Sequence, residues 1–469
     1  MKLRLAVILL PVLASAQQTL RLEDVLDSVN RNYPPLLAIM RDMDIARGDM
    51  KTAMGRFDTT LRVRFDADEF GFYDNERVDF GIEQATPFLG TSYFAGWRRG
   101  EGNFASYDGK LETRSLGEFR GGFRLPLLRD RATDSRRADV RRADLGIDSA
   151  RLSIDQQKIV ILQVATQRYW SWVAAGQRLQ VAESLLKIAT DRDTFLKDSV
   201  KLGQLPQIEV TDNERAILQR RSQIVESERG VQQASIEMSL FYRDPNGKPQ
   251  IAQVSQLPPA FPQVEAMTES RLQEDIETAL RRRPEIQRLV VQRAQTQVDA
   301  DLARNQLLPN VDLLMSFTAE GGAGAVKRGP QELRASVVFD LPFQRRQAAG
   351  RLQAAEARLT QFDLRERFAR EQITAEVQDA VSAVQAAYRR TLLIGEEVKV
   401  ARRLQELERD RFDLGDSTLF LVNLREQATF EAAVREVAAQ SDYYRSMALY
   451  ELSIANALAP QAPQQKKTP

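Results

Sequence analysis

Residues 59–70 read TTLRVRFDADEF, a stretch in which apolar and charged side chains alternate one by one. The odd positions are Leu61, Val63, Phe65 and Ala67, and the even positions are Arg62, Arg64, Asp66 and Asp68. Successive side chains of a β-strand point to opposite faces, so this period of two predicts a strand with one apolar and one ionic face. A strand of a soluble sandwich would alternate in the same way, which leaves open whether water or lipid covers the apolar face.

The same alternation occurs in three other segments, at 118–125, 311–318 and 333–341. Each segment is close to the length of a tilted strand that crosses a bilayer, roughly 9–11 residues. If the apolar faces contact lipid, the charged faces line a wet lumen. The candidate lumen residues are Arg62, Arg64, Asp66, Arg120, Arg124, Asp312 and Arg334.

The chain opens with MKLRLAVILLPVLASAQQ, in which Lys2 and Arg4 precede an apolar run from Leu5 to Leu13. The small residues at 14–16 follow, so we predict a secretory signal that is cleaved after Ala16. The apolar run is too short to span a bilayer as a helix. Loss of the two basic residues leaves 64 Lys and Arg against 65 Asp and Glu, so no basic excess favours nucleic acid as a partner.

The composition argues against an enzyme. The chain has no Cys and no His, which removes disulfides, thiolate nucleophiles, imidazole bases and the common zinc ligand sets. It also lacks a Gly-rich phosphate loop and a G-x-S-x-G motif. We therefore expect neither catalytic residues nor a cofactor.

Four anchors recur in the same order in two halves of the chain. The segment at 32–53 aligns with the segment at 282–303, and FRLPLL at 123–128 aligns with FDLPFQ at 339–344. Two further matches are Tyr169, Gly176 and Val181 with Tyr388, Gly395 and Val400, and Gly203 with Gly415. This order predicts a tandem duplication, with 34 additional residues in the first half before its long helix.

Each half has one predicted layout: a helix, alternating strands, a very long helix, a turn and a returning long helix. The very long helices, at about 135–202 and 347–414, contain no Pro and would each extend roughly 100 Å. Helices of this length favour a coiled coil over a single globular core. The predicted segments are a signal peptide (1–16), an opening helix (17–57), strands with an extra hairpin (58–126), long helices (127–243), a Pro-rich linker (244–266), opening helices (267–308), strands (309–342), long helices (343–457) and a disordered tail (458–469).

A closed barrel is the spanning structure that these strands can form, because an open sheet edge leaves backbone groups unpaired in lipid. Four to six strands per chain are too few, since single-chain bacterial barrels begin at eight strands. Several copies must then share one barrel. The 34 additional residues include VDFGIEQ at 78–84 and TSYFAGW at 91–97, which predict an extra hairpin; it either joins the barrel or folds over it.

The ordered set of segments resembles the outer-membrane efflux proteins, the TolC-like channel family, over essentially the whole mature chain. The resemblance is carried by the duplication and the two strand ends, and also by four helix and turn segments: ATQRYWSWVAAGQRL, VQAAYRRTLLIGEEV, VKLGQLPQIEVTDNERA and FDLGDSTLFLVNLREQA. It implies a mainly α protein with membrane β-structure. Three copies would share a transmembrane β-barrel and a long helical tunnel.

The resemblance further implies an outer-membrane channel of a Gram-negative bacterium, with the tunnel in the periplasm. Such a channel is the passive exit duct of a tripartite efflux or type I secretion system. Its partners would be a second and third copy of itself, outer-membrane lipid, a periplasmic adaptor, and an inner-membrane efflux pump or ABC transporter. The alternative is a surface or periplasmic coiled-coil structural or adaptor protein, which the long helices alone would also fit.

In the family, polar links and acidic rings around the two helix turns close the periplasmic end and favour cations. Here Glu209 keeps the acid of the first turn, but Phe412 and Ser417 occupy the Tyr and Arg positions, and Leu421 and Leu424 occupy two Asp positions. The match to the family's gate is therefore partial.

Two interpretations of these apolar residues stay open: Phe420 and Leu421 are seam residues of a coiled coil, or they form an apolar constriction that blocks ions by dewetting. In the second interpretation, Glu209 supplies the remaining acidic ring. Gly203 and Gly415 each follow a long helix and suit a left-handed C-cap. The residues after them complete a predicted docking tip, which comprises Gly203, Gln204, Gly415 and Asp416.

Overall fold

The computed structural model describes residues 19–105, 111–267, 271–324 and 331–456 of the 469-residue chain. The predicted signal peptide and the predicted tail at 458–469 lie outside these described residues. The described chain is mainly helical. Its helices are α1 (Leu22–Asn32), α2 (Pro34–Met40), α3 (Asp42–Met54), α4 (Ser135–Lys201), α5 (Gln207–Ser239), α6 (Leu272–Arg282), α7 (Pro284–Gln306), α8 (Arg346–Asp413) and α9 (Leu419–Ser453). Its strands are β1 (Thr60–Asp68), β2 (Asn75–Ala85), β3 (Ser92–Gly102), β4 (Glu118–Pro126), β5 (Asn310–Glu320) and β6 (Gln331–Asp340).

The chain divides into two compact units. The first unit comprises the described parts of 1–39, 155–283 and 370–469, and the second comprises those of 40–154 and 284–369. The first unit is helical and contains both helix turns. The second unit contains the β-sheet.

The sheet is a six-stranded antiparallel meander in the order β1-β2-β3-β4-β5-β6. The predicted extra hairpin forms β2 and β3, and both strands lie inside the sheet between β1 and β4. The register pairs Leu61 with Ile82, Ile82 with Ala95, and Ala95 with Gly121. Because directly paired residues share a face, the alternation of each strand continues across the sheet.

The very long helices end where the sequence predicts. Helix α4 ends at Lys201 and α8 ends at Asp413, and neither contains a Pro that would interrupt its hydrogen bonds. Leu202 and Leu414, which the prediction included, are the residues that follow each helix. No helix within the described ranges is long and apolar enough to cross a membrane.

The opening segment differs from the prediction of one helix over 17–57, since it contains α1, α2 and α3. Pro34 explains the first break, because a proline disfavours the helical conformation in the residue before it. Tyr33 is accordingly extended, with φ −81° and ψ 111°. Pro34 then begins α2, and its counterpart Pro284 begins α7, as suits a residue whose missing N–H has no partner in the first turn.

The Pro-rich segment 244–266 is largely irregular, and its end packs against the helices of the first unit. Tyr444 donates a hydrogen bond to the carbonyl oxygen of Pro262 at 2.7 Å, and its ring stacks on that of Phe261. Trp170 of α4 stacks on the same two rings. These contacts fix the segment without a regular element.

Candidate functional sites: the ionic sheet face and the helix turns

The register places all seven predicted lumen residues on one face of the sheet. Arg62 and Arg120 lie on one cross-strand row with Gly81 and Gly96 between them. Arg64 begins the next row, in which its neighbours are acidic and basic in turn: Asp79, Arg98 and Glu118. These seven residues come from β1, β4, β5 and β6, and the register brings them onto one face of the sheet.

Ion pairs connect the strands across this face. Asp66 of β1 lies 3.1 Å from Arg77 of β2, and Asp312 of β5 lies 2.6 Å from Arg124 of β4. Arg98 of β3 approaches Glu118 of β4 to 2.8 Å. The side chain of Asp312 is almost fully covered, so its pair with Arg124 belongs to the packed part of the face.

Six arginines and two acids surround a hollow of about 590 Å³ on the ionic face. Gly81 leaves room there because it has no side chain. Arg62 points into this hollow with no ion pair among the described residues, whereas Arg64 pairs with Asp66 at 2.9 Å. This face can contact water and dissolved ions.

The opposite face of the sheet is apolar and remains uncovered. Leu61 on β1 is 68% exposed and Leu333 on β6 is 70% exposed, although both are leucines. The inner strands add aromatic pairs such as Phe80 with Trp97, whose ring centroids are 5.8 Å apart. A contiguous exposed apolar surface of this kind marks contact with a membrane or another protein.

The two helix turns, both in the first unit, have the same backbone geometry. At the end of α4, Gly203 has φ +73°, its N–H donates to the carbonyl of Val200, and the N–H of Gln204 donates to the carbonyl of Ser199. Gly415, with φ +86°, and Asp416 repeat this arrangement at the end of α8. Each turn is therefore a Schellman motif with a left-handed glycine.

An apolar core lies directly beneath the turns. Leu196 of α4, Val210 of α5, and Leu419 and Val422 of α9 are buried together. Phe412, which occupies the family's Tyr position, packs against this core. Its ring is partly buried, so it contributes packing where a hydroxyl would offer a hydrogen bond.

The predicted gate residues of α9 lie on the side of that helix away from this core. Phe420 is 62% exposed, Leu424 is 51% exposed and Leu421 is half-buried. Positions 420 and 424 are one helical turn apart, so their side chains form a short apolar stripe. The structure thus separates them from the buried Leu419 and Val422, which pack in the apolar core beneath the turns.

The acid of the first turn has a perturbed environment. Glu209 lies in the first turn of α5 and is half-buried. Burial, with a smaller contribution from the nearby Asp212, raises the pKa of Glu209 above its ordinary value of 4.5. At the second turn, Ser417 donates a 2.5 Å hydrogen bond to Glu408, whose side chain is buried.

A buried ionic cluster that the sequence analysis missed lies next to the turns. Glu426 of α9, with a side chain only 2% exposed, lies 2.9 Å from Arg192 of α4 and 2.5 Å from Arg220 of α5. Arg192 also donates to Asn423 and Asn213. One carboxylate thereby joins both helix hairpins through α4, α5 and α9.

A sequence signal for this cluster exists. Leu419, Val422 and Glu426 are spaced three and four residues apart, which is the spacing of a coiled-coil seam. A glutamate at a seam position needs a buried partner, because a buried unpaired charge is very costly. The partner arginines are 206 and 234 residues away in sequence, so local spacing does not identify them.

The comparisons with known proteins agree with this geometry. Residues 276–453 match the model of the outer membrane efflux protein family. No curated protein sequence matches this chain.

Solved outer-membrane proteins share the fold of this chain at low sequence identity. The Campylobacter jejuni CmeC outer membrane channel is 14% identical, with a TM-score of 0.62 over 97% of this chain and 93% of CmeC. The Neisseria gonorrhoeae MtrE outer membrane channel is 15% identical, with a TM-score of 0.64 over 93% and 89%. The outer membrane protein VceC of Vibrio cholerae is 14% identical, with a TM-score of 0.61 over 92% and 96%.

Proposed function

We propose that this protein is an outer-membrane channel that serves as the passive exit duct of an efflux or secretion system. The observation that carries the proposal is the two-faced sheet: one face is exposed and apolar, and the other is ionic. A strand pattern of this kind is that of a membrane barrel, in which lipid-facing and lumen-facing residues alternate. The alternative, a purely structural coiled-coil protein, accounts for the long helices but not for such a sheet.

In this proposal three copies form the channel, and their sheets close one barrel. The candidate lumen residues, including Arg62, Arg120 and Asp312, then face water, while residues such as Val63 face hydrocarbon. The helices of the first unit form a tunnel in the periplasm of a Gram-negative bacterium. The two halves of the chain contribute corresponding elements, as expected of a duplication.

The helix turns are the proposed periplasmic end. There Phe420, Leu421 and Leu424 would meet their copies near the three-fold axis as an apolar constriction. The docking residues Gln204 and Asp416 follow the two left-handed glycines and would contact a periplasmic adaptor linked to an inner-membrane pump. The exposure of these turns in the isolated chain supports this assignment.

The proposal is tested by localisation and export in the native bacterium. Membranes are separated by density, and the protein is extracted in mild detergent for mass measurement. We expect three copies per particle from the outer membrane, and intracellular accumulation of exported dyes when the gene is deleted. A monomer found in the soluble periplasmic fraction would contradict the proposal.

Docking has its own variant. Bulky substitutions at Gln204 or Asp416 should abolish export in cells and leave the oligomer intact, because the changed side chains are exposed. A matched control is an equally bulky change at the exposed Glu431, which lies farther along α9. Normal export by both tip variants would place the docking surface elsewhere.

A further inference from the structure

The β2–β3 hairpin is built into the sheet. β2 pairs with β1 along the full length of β1, from Asn75 opposite Asp68 to Glu83 opposite Thr60. β3 pairs with both β2 and β4. The apolar row that begins at Leu61 runs through Ile82 and Ala95 without a gap. A hairpin folded over the sheet would have no such rows.

The ionic face depends on the hairpin as well. Arg120 of β4 reaches past β3 to Asp79 of β2, at 3.2 Å. It passes over Gly96, where an added Cβ would lie 3.4 Å from the Nε of Arg120 and 2.6 Å from the carbonyl oxygen of Phe80. The absence of a side chain at Gly96 leaves room for Arg120 to cross β3 and reach β2, a contact that exists because β2 and β3 lie between β1 and β4.

Within the described residues, β1 and β6 each pair with a strand on one side only. β1 and β6 are 9 and 10 residues long, and neither contains a Pro. On the apolar face, Phe65 of β1 and Val337 of β6 are more than 60% exposed. The charged side chains of both strands, such as Arg64 and Arg334, lie on the ionic face of the sheet. Long edges that have neither a proline nor a covering element pair readily with another strand.

The directions of the edge strands determine what can pair with them. In an antiparallel meander with six strands, the first and last strands run in opposite directions. A second copy of the chain, added head to tail, would therefore bring its β1 antiparallel to β6 of the first copy. The apolar faces of both strands would lie on the same side of the joined sheet.

We propose that β6 of each copy pairs with β1 of the next, and that β2 and β3 are part of the wall, so that three copies close an 18-stranded barrel. The number of copies rests on the proposed function; the six strands per copy do not. At a strand spacing of about 4.8 Å and a tilt of about 40°, 18 strands give a backbone diameter of about 36 Å. A barrel without the hairpin would have 12 strands and a diameter of about 24 Å.

The direct test is electron cryo-microscopy of the full-length protein in lipid nanodiscs. We expect three copies and 18 strands, with β2 and β3 in the wall. Three copies around a 12-stranded wall, with the hairpin outside it, would overturn this inference and leave the proposed function standing. A particle that does not enter the bilayer would overturn the proposed function itself.

Deletion of residues 75–102 provides a second readout of wall width. Because β1 would then join β4, the wall should shrink to 12 strands and lose about a third of its diameter. An unchanged diameter would mean that the hairpin never belonged to the wall.

Disulfide formation tests the edge contact, because the chain has no Cys of its own. Val63→Cys is combined in turn with Leu333→Cys, Ala335→Cys and Val337→Cys, which cover neighbouring registers on the apolar face. We expect oxidation to yield covalently closed trimers for one of these pairs. The matched control replaces Val63→Cys by Phe80→Cys on the inner strand β2 and should stay uncrosslinked. Absence of cross-links in all three edge pairs, or equal cross-linking of the control, would overturn the edge contact.

Discussion

Removal of the Glu426 carboxylate should loosen the helix bundle near the turns. In Glu426→Gln, both Arg192 and Arg220 keep their charge but lose their only shared anion. Breaking a buried ion pair on one side costs about 3–5 kcal/mol, and the retained amide oxygen favours the lower end of this range. A cost of about 3 kcal/mol lowers the local opening free energy enough to speed amide exchange about 150-fold.

Hydrogen exchange measured by mass spectrometry on peptides that cover 419–433 reads this change directly. The matched control is Glu431→Gln on the same helix, where the carboxylate is exposed and accepts a hydrogen bond from Gln427. The control should change exchange by about twofold or less, as surface substitutions cost under about 0.5 kcal/mol. If both variants exchange alike, the buried cluster does not stabilise the turns.

Replacement of the whole cluster should behave differently from removal of one member. With Arg192→Met, Arg220→Met and Glu426→Leu combined, no buried charge is left without a partner. Buried ion clusters replaced by apolar residues of similar volume are often neutral or more stable. We therefore expect amide exchange in the triple variant to be slower than in Glu426→Gln. Faster exchange would mean that the ion cluster stabilises the helices by more than the cost of leaving its own charges unpaired.

Further predictions concern the lumen and the gate. Val63→Asp should impair membrane assembly, measured as trimer yield in the outer membrane, since a carboxylate would face hydrocarbon; Arg64→Leu on the next residue should change conductance and leave assembly intact, and equal damage would mean that the faces are misassigned. Leu421→Ser should raise the conductance of the purified trimer in planar bilayers, because a polar ring stays wet; an unchanged conductance, with an open channel in a charge-reversed Asp413 or Asp416 variant, would indicate an ionic gate. Because the pKa of Glu209 is raised above 4.5, its carboxylate gains a proton at a higher pH than an ordinary glutamate does. Cation preference should therefore be lost as the pH falls, and the loss should begin at a higher pH than an ordinary glutamate would give. Glu209→Gln should remove this pH dependence, and a dependence that persists in this variant would assign it to another acid.

The sequence was sufficient where the deciding interactions are local. The alternation at 59–70 identified the faces of β1, and glycines 203 and 415 identified the ends of the long helices. Pro34 likewise indicates the break after α1, although one helix was predicted over 17–57. Each of these features depends on residues within a few positions of one another.

Features that depend on distant partners could not be obtained in this way. The place of the β2–β3 hairpin in the sheet depends on its register against β1 and β4. The partners of Glu426 come from two helices of the first half, and the burial of Phe412 depends on Leu196 and Val210. A single sequence contains no measure of such pairings.

Conductance measured in planar bilayers tests the central claim most directly. Purified full-length protein is added at equal amounts as the wild type and as Leu421→Ser, with Val63→Asp as the control that should not insert. We expect discrete channel openings, larger in Leu421→Ser, and none from the control. Protein that assembles as trimers yet gives no openings, as wild type and as Leu421→Ser, would contradict the conclusion that this chain forms an outer-membrane duct.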